Sequence, residues 1–147
     1  MEVVLTAAQK RIMEAHGEAS YPHEGAGFLL GRVEDKRVVI EEVFPAPNQR
    51  EAEARRNRYE ISPHDFLRAE REAAGRGLEV VGVFHSHPDH PALPSAFDRE
   101  HALPRFCYLI TSVEGGKART TRAWHLREDR VAFEEDTLII TSTEEEA

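Results

Sequence analysis

The chain has 147 residues, a length typical of one domain, and its composition of 40% hydrophobic and 31% charged residues excludes a chain disordered throughout. Its 27 acidic and 19 basic side chains give a formal net charge of -8. This excludes a broad positive surface that would attract the phosphate backbone of a nucleic acid. We therefore expect a single domain over residues 1–147 and no nucleic-acid partner.

Three features favour a soluble protein of the reducing cytoplasm that has no membrane contact. The segment from Met1 to Leu5 lacks the basic stretch and long apolar core of a signal peptide, and no apolar run approaches the ~20 residues that cross a bilayer. Cys107 is the one cysteine, so no internal disulfide can form, and the apolar run around it predicts a buried strand. A homodimer is compatible with the sequence, in which no feature sets the oligomeric state.

Helix signals occur at three places along the chain. Thr6 and Gln9 have the spacing of a capping box, and apolar residues then recur at helical intervals, which predicts a helix over residues 6–16 that ends at Gly17. Ser62 followed by a proline predicts the start of a second helix, which ends near position 75. Ser95 predicts the start of a short third helix.

Six segments have the apolar pattern of β-strands, and the first two flank a polar turn typical of a hairpin. They span residues 27–33, 38–44, 80–84, 106–113, 118–126 and 130–140. The mixture predicts an α/β fold, with a single mixed, curved β-sheet flanked by helices. The charged stretch 48–58 predicts an exposed loop, and residues 144–147 predict a solvated, flexible acidic tail.

Two histidines follow the buried strand 80–84. His85 and His87 are two positions apart, and on an extended chain this spacing directs both side chains to the same face. Zn²⁺ binds neutral imidazole and carboxylate ligands, and Asp98 is the candidate for the third ligand because a proline-rich loop can turn the chain back toward the histidines. Three protein ligands leave one position for water, so the pattern predicts one Zn²⁺ per chain in a hydrolytic site.

Each part of this pattern also has an ordinary structural interpretation. The tripeptide from His85 to His87 taken alone is more often a pair of exposed polar residues. Ser95 and Asp98 have the spacing of a helix cap and a first-turn acid. Glu24 taken alone is an ordinary surface charge, and it is no part of a His-Glu-x-x-His motif because position 27 is a glycine.

The joint pattern resembles the signature of the JAMM metallopeptidases, also called the MPN+ or Mov34 family. Glu24 is followed far downstream by His85-x-His87, then by seven residues and Ser95-x-x-Asp98. The segments around Glu24 and around the two histidines are similar to the glutamate segment and the metal strand of that family. The resemblance implies the family's curved mixed sheet, which has a cytidine-deaminase-like architecture.

The resemblance also implies a role for each site residue. His85, His87 and Asp98 would hold the zinc, Glu24 would act as the general base, and Ser95 would help to stabilise the oxyanion. A Ser95 hydroxyl committed to capping is, however, less free to donate to a substrate. The implied substrate is a ubiquitin-like or sulfur-carrier protein, cut after its C-terminal Gly-Gly.

The chain departs from the family at Ala26, where many members carry a cysteine. The thiol has no part in the family's mechanism, so we expect activity to survive. Two other function classes stay open as alternatives. A non-catalytic MPN-type scaffold is disfavoured by the retained ligands, and a zinc deaminase needs a Pro-Cys-x-x-Cys element that Cys107 alone cannot supply.

Other polar residues have weaker functional signals. His90 lies between the candidate ligands, where a contact with substrate is one interpretation and an exposed polar residue is the other. Arg55, Arg56 and Arg58 face either solvent or an acidic partner. We expect the remaining histidines at the surface: His16, His23, His64, His101 and His125.

Overall fold

The structure, a computed structural model, describes residues 1–46 and 62–142. Within them the chain forms β1 (Glu2–Thr6), α1 (Ala7–Ser20), β2 (Ala26–Glu34), β3 (Arg37–Ala46), α2 (Pro63–Gly75), β4 (Glu79–Pro88), α3 (Ala96–His101), β5 (Cys107–Glu114), β6 (Lys117–Leu126) and β7 (Phe133–Thr141). The predicted loop at 48–58, with its three arginines, and the tail at 144–147 lie outside the described residues. None of the described helices is long and apolar enough to span a membrane.

The strands form one mixed sheet that closes on itself in the order β1-β3-β2-β4-β5-β6-β7. Strand β1 closes it, because it pairs in parallel with both β3 and β7. The predicted α/β class and curved mixed sheet flanked by helices are confirmed. The sequence analysis did not predict β1, which is only five residues long and is followed at once by the first helix.

Helix α1 begins where predicted but ends later. The Thr6 hydroxyl accepts a hydrogen bond from the Gln9 backbone, and the Gln9 side chain accepts one from the Thr6 backbone. The predicted end at residue 16 is wrong, because α1 continues through Gly17 to Ser20. A Cβ at position 17 would lie 3.0 Å from the Ser86 Cβ, so this glycine permits close packing of the helix on the sheet instead of ending the helix.

Strand β4 is longer than predicted, and β7 starts later than predicted. The predicted segment 80–84 extends through both histidines to Pro88, because β5 pairs in parallel with β4 as far as that residue. Strand β7 starts at Phe133 and not at Arg130, because Arg130 adopts a φ of 61° in the turn that precedes the strand.

The sheet separates two hydrophobic clusters. One lies on the α1 side and includes Met13, Leu29, Phe84 and Leu109, whereas the other lies on the α2 side and includes Phe28, Leu30, Ala69, Ala73 and Ile110. Cys107 is buried in the first cluster, as expected from its strand. Burial raises the pKa of its thiol, and the charge of Asp136 adds to the effect.

The close approach of β4 and β5 predicts that Gly82 tolerates no side chain. A Cβ at this position would collide with the carbonyl oxygen of Cys107, so Gly82→Ala must displace backbone and should lower the free energy of unfolding by about 1–3 kcal/mol. At Gly75 a Cβ would meet nothing within 4 Å, so Gly75→Ala should leave stability unchanged or slightly higher. Urea unfolding of the two variants measures the difference, and equal stabilities would contradict this account of the strand contact.

Candidate metal centre

His85 and His87 lie side by side on one face of β4. Their side chains are buried, with His85 1% and His87 6% exposed, and their Nε2 atoms are 3.2 Å apart. The alternation of side chains along a strand produces this arrangement. The two imidazoles share a face as predicted, although they lie inside the strand and not beyond its end.

Helix α3 brings Asp98 to the two imidazoles. Its Oδ1 atom lies 3.3 Å from the His85 Nε2, and its Oδ2 atom lies 3.3 Å from the His87 Nε2. The Ser95 hydroxyl accepts a hydrogen bond from the Asp98 backbone at 3.1 Å, and the Asp98 carboxylate accepts one from the Ser95 backbone at 2.8 Å. The capping box that starts α3 therefore also orients the carboxylate.

The loop after β4 sets the orientation of His87. The His87 Nδ1 atom lies 2.9 Å from the carbonyl oxygen of Pro91. Because a carbonyl only accepts hydrogen bonds, Nδ1 carries the proton, and in the neutral ring the Nε2 lone pair faces His85 and Asp98. Trp124 holds this loop in turn, since its indole N–H donates to the Ala92 carbonyl at 3.0 Å.

The protonation states of this group suit metal binding. Burial lowers the pKa of His85, which favours the neutral imidazole. Burial alone would raise the pKa of Asp98, but its interactions with the two neighbouring imidazoles and the hydrogen bond from the Ser95 backbone outweigh burial and hold this pKa well below its usual range. The ionised carboxylate and the neutral imidazole are the forms in which these side chains bind metals.

The spacing of the donor atoms fits a metal ion. The two imidazole nitrogens and the facing carboxylate oxygens are 3.2 and 3.3 Å apart. Ligands bound at ~2.0–2.1 Å in a tetrahedral site are separated by about 3.3 Å. The separations of the donor atoms of His85, His87 and Asp98 are therefore close to those of ligands around one ion, although the two imidazoles face different oxygens of Asp98.

Glu24 lies on the same side of the sheet as the two histidines. It is 4% exposed, and donor atoms of Glu24, His85 and His87 all lie within 4.8 Å of one another. The pairing of β2 with β4 explains this proximity, because Ala26 is the register partner of His85. The histidine pair thus has two carboxylates close to it, Glu24 and Asp98.

A cleft of about 450 Å³ opens over this group. It is lined by Glu24, His87, His90, Pro91, Leu93, Ser95, Ala96 and Phe97. His90 and Ser95 are exposed, so both reach the space beside the candidate metal ligands. Helix capping was expected to limit donation from Ser95 to a substrate. The cap uses a lone pair of the hydroxyl oxygen, however, and leaves its O–H able to donate.

Three histidines expected at the surface are half-buried instead: His16, His23 and His125. The His16 ring packs edge-on against Phe84, with ring centroids 6.0 Å apart, because its position on α1 faces the sheet. The His125 Nδ1 atom lies 2.8 Å from Asp136. His64 and His101 are exposed as predicted.

Ser86, which lies between the two histidines in the chain, was not predicted as a site residue. Its hydroxyl accepts a hydrogen bond from the Gly25 backbone at 2.8 Å, and Gly25 directly follows Glu24. A small polar residue in an otherwise apolar strand was the available signal. The partner could not be read from the pattern, because it belongs to a distant segment of the chain.

Known proteins resemble this chain over most of its length. A family model for prokaryotic homologs of the JAB domain matches residues 6–127. A probable TtuB-protein conjugate cleaving protease of Thermus thermophilus is 35% identical over 105 residues, which cover 71% of this chain and 66% of that protein. A desampylase of Haloferax volcanii is 34% identical over 117 residues, which cover 77% of this chain and 80% of that protein.

The fold is also similar to that of a solved structure. A protein from Desulfitobacterium hafniense has a TM-score of 0.83 and 29% sequence identity, over 97% of this chain and 94% of that chain. The match to the Thermus protein spans slightly less than two thirds of its length. The named relatives thus include a protease and a desampylase, and the structural match extends over nearly the whole chain.

The double use of Ser95 and Asp98 in the capping box predicts a stability effect at position 95. Ser95→Ala removes the acceptor for the Asp98 backbone N–H and should lower the free energy of unfolding by about 1 kcal/mol. Ser95→Thr keeps the acceptor and should lose less. Urea unfolding of both variants tests this, and the cap assignment fails if threonine destabilises the protein as much as alanine does.

Proposed function

The chain belongs to the JAB/MPN (JAMM) family, and from this premise we propose that it is a zinc-dependent peptidase or isopeptidase. Its substrate is a ubiquitin-like or sulfur-carrier protein, which it cuts at the amide bond after the C-terminal Gly-Gly. The observation that carries the proposal is the convergence of Glu24, His85, His87 and Asp98 beside an open cleft. The names of the two relatives support the class of bond and substrate.

Zinc is the metal that suits the donor set. Two imidazole nitrogens and one carboxylate oxygen are a ligand set of catalytic zinc sites, and His85, His87 and Asp98 would supply them. When bound, zinc acts as a Lewis acid that lowers the pKa of a water molecule to ~7 and polarises the carbonyl of the substrate. Asp98 lies 3.3 Å from each imidazole and would be the third ligand. Glu24 is then not needed as a ligand and is available for proton transfer.

Glu24 acts as the general base. Its carboxylate takes a proton from the attacking water and then passes the proton to the nitrogen of the leaving amine. The cleft position supports this role, because Glu24 lines the cleft together with His87 and Ser95. The side chain is 4% exposed. Few solvent molecules can therefore take the proton from Glu24 before it reaches the leaving amine.

Ser95 stabilises the negative charge that develops on the substrate carbonyl oxygen. Its hydroxyl is exposed at the cleft, and its O–H can donate while its oxygen accepts from the Asp98 backbone. Because the cap fixes Ser95 relative to Asp98, this donor has a fixed position next to the metal ligands. His90 lines the same cleft, where it contacts the bound substrate.

Metal binding has a direct test in His87→Ala. Metal-free protein titrated with Zn²⁺ should bind one ion per chain, and His87→Ala should weaken binding by at least about 100-fold, more than the loss of an outer-shell partner does. His64→Ala removes an exposed histidine of α2 and serves as the matched control. Competition with a chromogenic chelator measures both affinities. Equal zinc affinity in the two variants would overturn the ligand assignment.

Catalysis is tested separately by Glu24→Gln. We expect this variant to keep its zinc and to lose about 10²–10⁴-fold in kcat, since only the proton acceptor is removed. Glu70→Gln changes an exposed glutamate of α2 and should behave as wild type. The substrates are the Gly-Gly-ended ubiquitin-like proteins of the source organism, each fused to a short C-terminal extension, and mass spectrometry detects cleavage at Gly-Gly.

The outcomes separate the peptidase from a non-catalytic scaffold. Zinc-loaded wild-type protein that cleaves none of these fusions would favour the scaffold. Full turnover by Glu24→Gln would instead keep the peptidase and reject Glu24 as its base.

A further inference from the structure

Ser86 occupies the face of β4 opposite to the metal ligands. It lies between His85 and His87 in the chain, and its side chain is 3% exposed. A Cβ at Gly17 would lie 3.0 Å from the Ser86 Cβ and 3.5 Å from its hydroxyl oxygen, so α1 covers Ser86 directly. The Ser86 side chain therefore has no access to the cleft or to a bound metal.

Ser86 is bonded to the segment that carries Glu24. The Gly25 backbone N–H donates to the Ser86 hydroxyl at 2.8 Å, and the Ser86 backbone N–H donates to the Gly25 carbonyl at 2.9 Å. Both backbone groups of Gly25 thus bond to one residue. These bonds continue the β2–β4 pairing by one residue beyond the pair of Ala26 and His85.

Helix α1 confines the same segment from the other side. A Cβ at Gly25 would lie 2.7 Å from the Ser20 hydroxyl oxygen and 3.1 Å from the His16 ring. The glycine therefore fits only because it has no side chain, and it lies tightly between the end of α1 and Ser86. The segment cannot move toward α1, and the two hydrogen bonds prevent it from moving away from β4.

We propose that Ser86 is a positioning residue that sets the Glu24 carboxylate relative to the metal ligands, an inference that rests on the proposed role of Glu24. The two residues that flank Ser86 are the histidine ligands, so one short piece of β4 carries the ligands on one face and supports the base from the other. The spacing between the base and the two histidines is then set through one strand, although Glu24 itself lies in the connection between α1 and β2.

Ser86→Ala tests the proposal because it removes the hydroxyl and leaves both histidines in place. A base held less accurately lowers the rate of the chemical step, and we expect kcat to fall about 10- to 100-fold. The KM should change less than about twofold, because uniform binding of substrate is not altered. The zinc stoichiometry and affinity should stay at their wild-type values.

Thr111→Val supplies the matched control. Thr111 is the register partner of Ser86 on β5 and is 3% exposed, and its hydroxyl lies 2.8 Å from the Thr121 hydroxyl. The variant therefore removes a buried, hydrogen-bonded hydroxyl beside Ser86 without touching Gly25. It should keep wild-type kcat. Equal losses of kcat in the two variants, or a loss of zinc in Ser86→Ala, would reduce Ser86 to a general structural role and overturn the proposal.

A second measurement does not depend on activity. The exchange rate of the Gly25 amide with deuterium, followed by NMR on zinc-loaded protein, should rise at least about tenfold in Ser86→Ala and stay unchanged in Thr111→Val, because only the first loses the acceptor of that amide. If wild-type protein cleaves no Gly-Gly fusion, the proposed function fails. An unchanged Gly25 exchange rate in Ser86→Ala would still reject the hydrogen bond from Gly25 to Ser86 as the support of this segment. If wild-type protein cleaves and Ser86→Ala keeps its kcat, only the positioning role is rejected.

Discussion

The arrangement of the site depends on the pairing of β4 along both of its edges. Strand β2 pairs with one edge in antiparallel fashion and β5 pairs with the other in parallel. The extended backbone is therefore held straight through His85 and His87, and strand alternation sends both imidazoles to the side of Asp98 and Ser86 to α1. A histidine pair of the same spacing on a loop would need other contacts to hold two rings on one side.

Two carboxylates lie beside the histidine pair, and the fold gives them different environments. Asp98 is held in the capping box of α3 beside both imidazoles, which orients its oxygens, and these contacts hold its pKa well below its usual range. Glu24 comes from the opposite direction, on the segment that leads into β2, and lines the cleft. The proposed division between metal ligand and base therefore follows from which element supplies each carboxylate. Neither role depends on an unusual side chain.

Local signals predicted the parts of the structure that local interactions determine. The cap at Thr6, the start of α2 after Ser62 and the start of α3 after Ser95 are short-range patterns, and all three are confirmed. The convergence of Asp98 with the histidines was anticipated from the family signature and the turn-forming prolines. The errors concern contacts between distant segments: the addition of β1 to two strands, the extension of β4 by β5, the packing of α1 at Gly17, and the bond from Gly25 to Ser86. Periodicity and capping rules contain no information about such partners.

The position of β1 has a consequence for how the protein reaches its native state. Its two neighbours are β3, which follows early in the chain, and β7, which is the last described strand. A ribosome releases β1 and α1 first, yet the ring of strands cannot be completed until β7 has emerged from the exit tunnel. Pairing between such distant segments carries a large loop-closure entropy and is slow. In a nascent chain, β2 and β4 can therefore pair before β7 completes the ring. This pairing already brings Glu24 close to the two histidines.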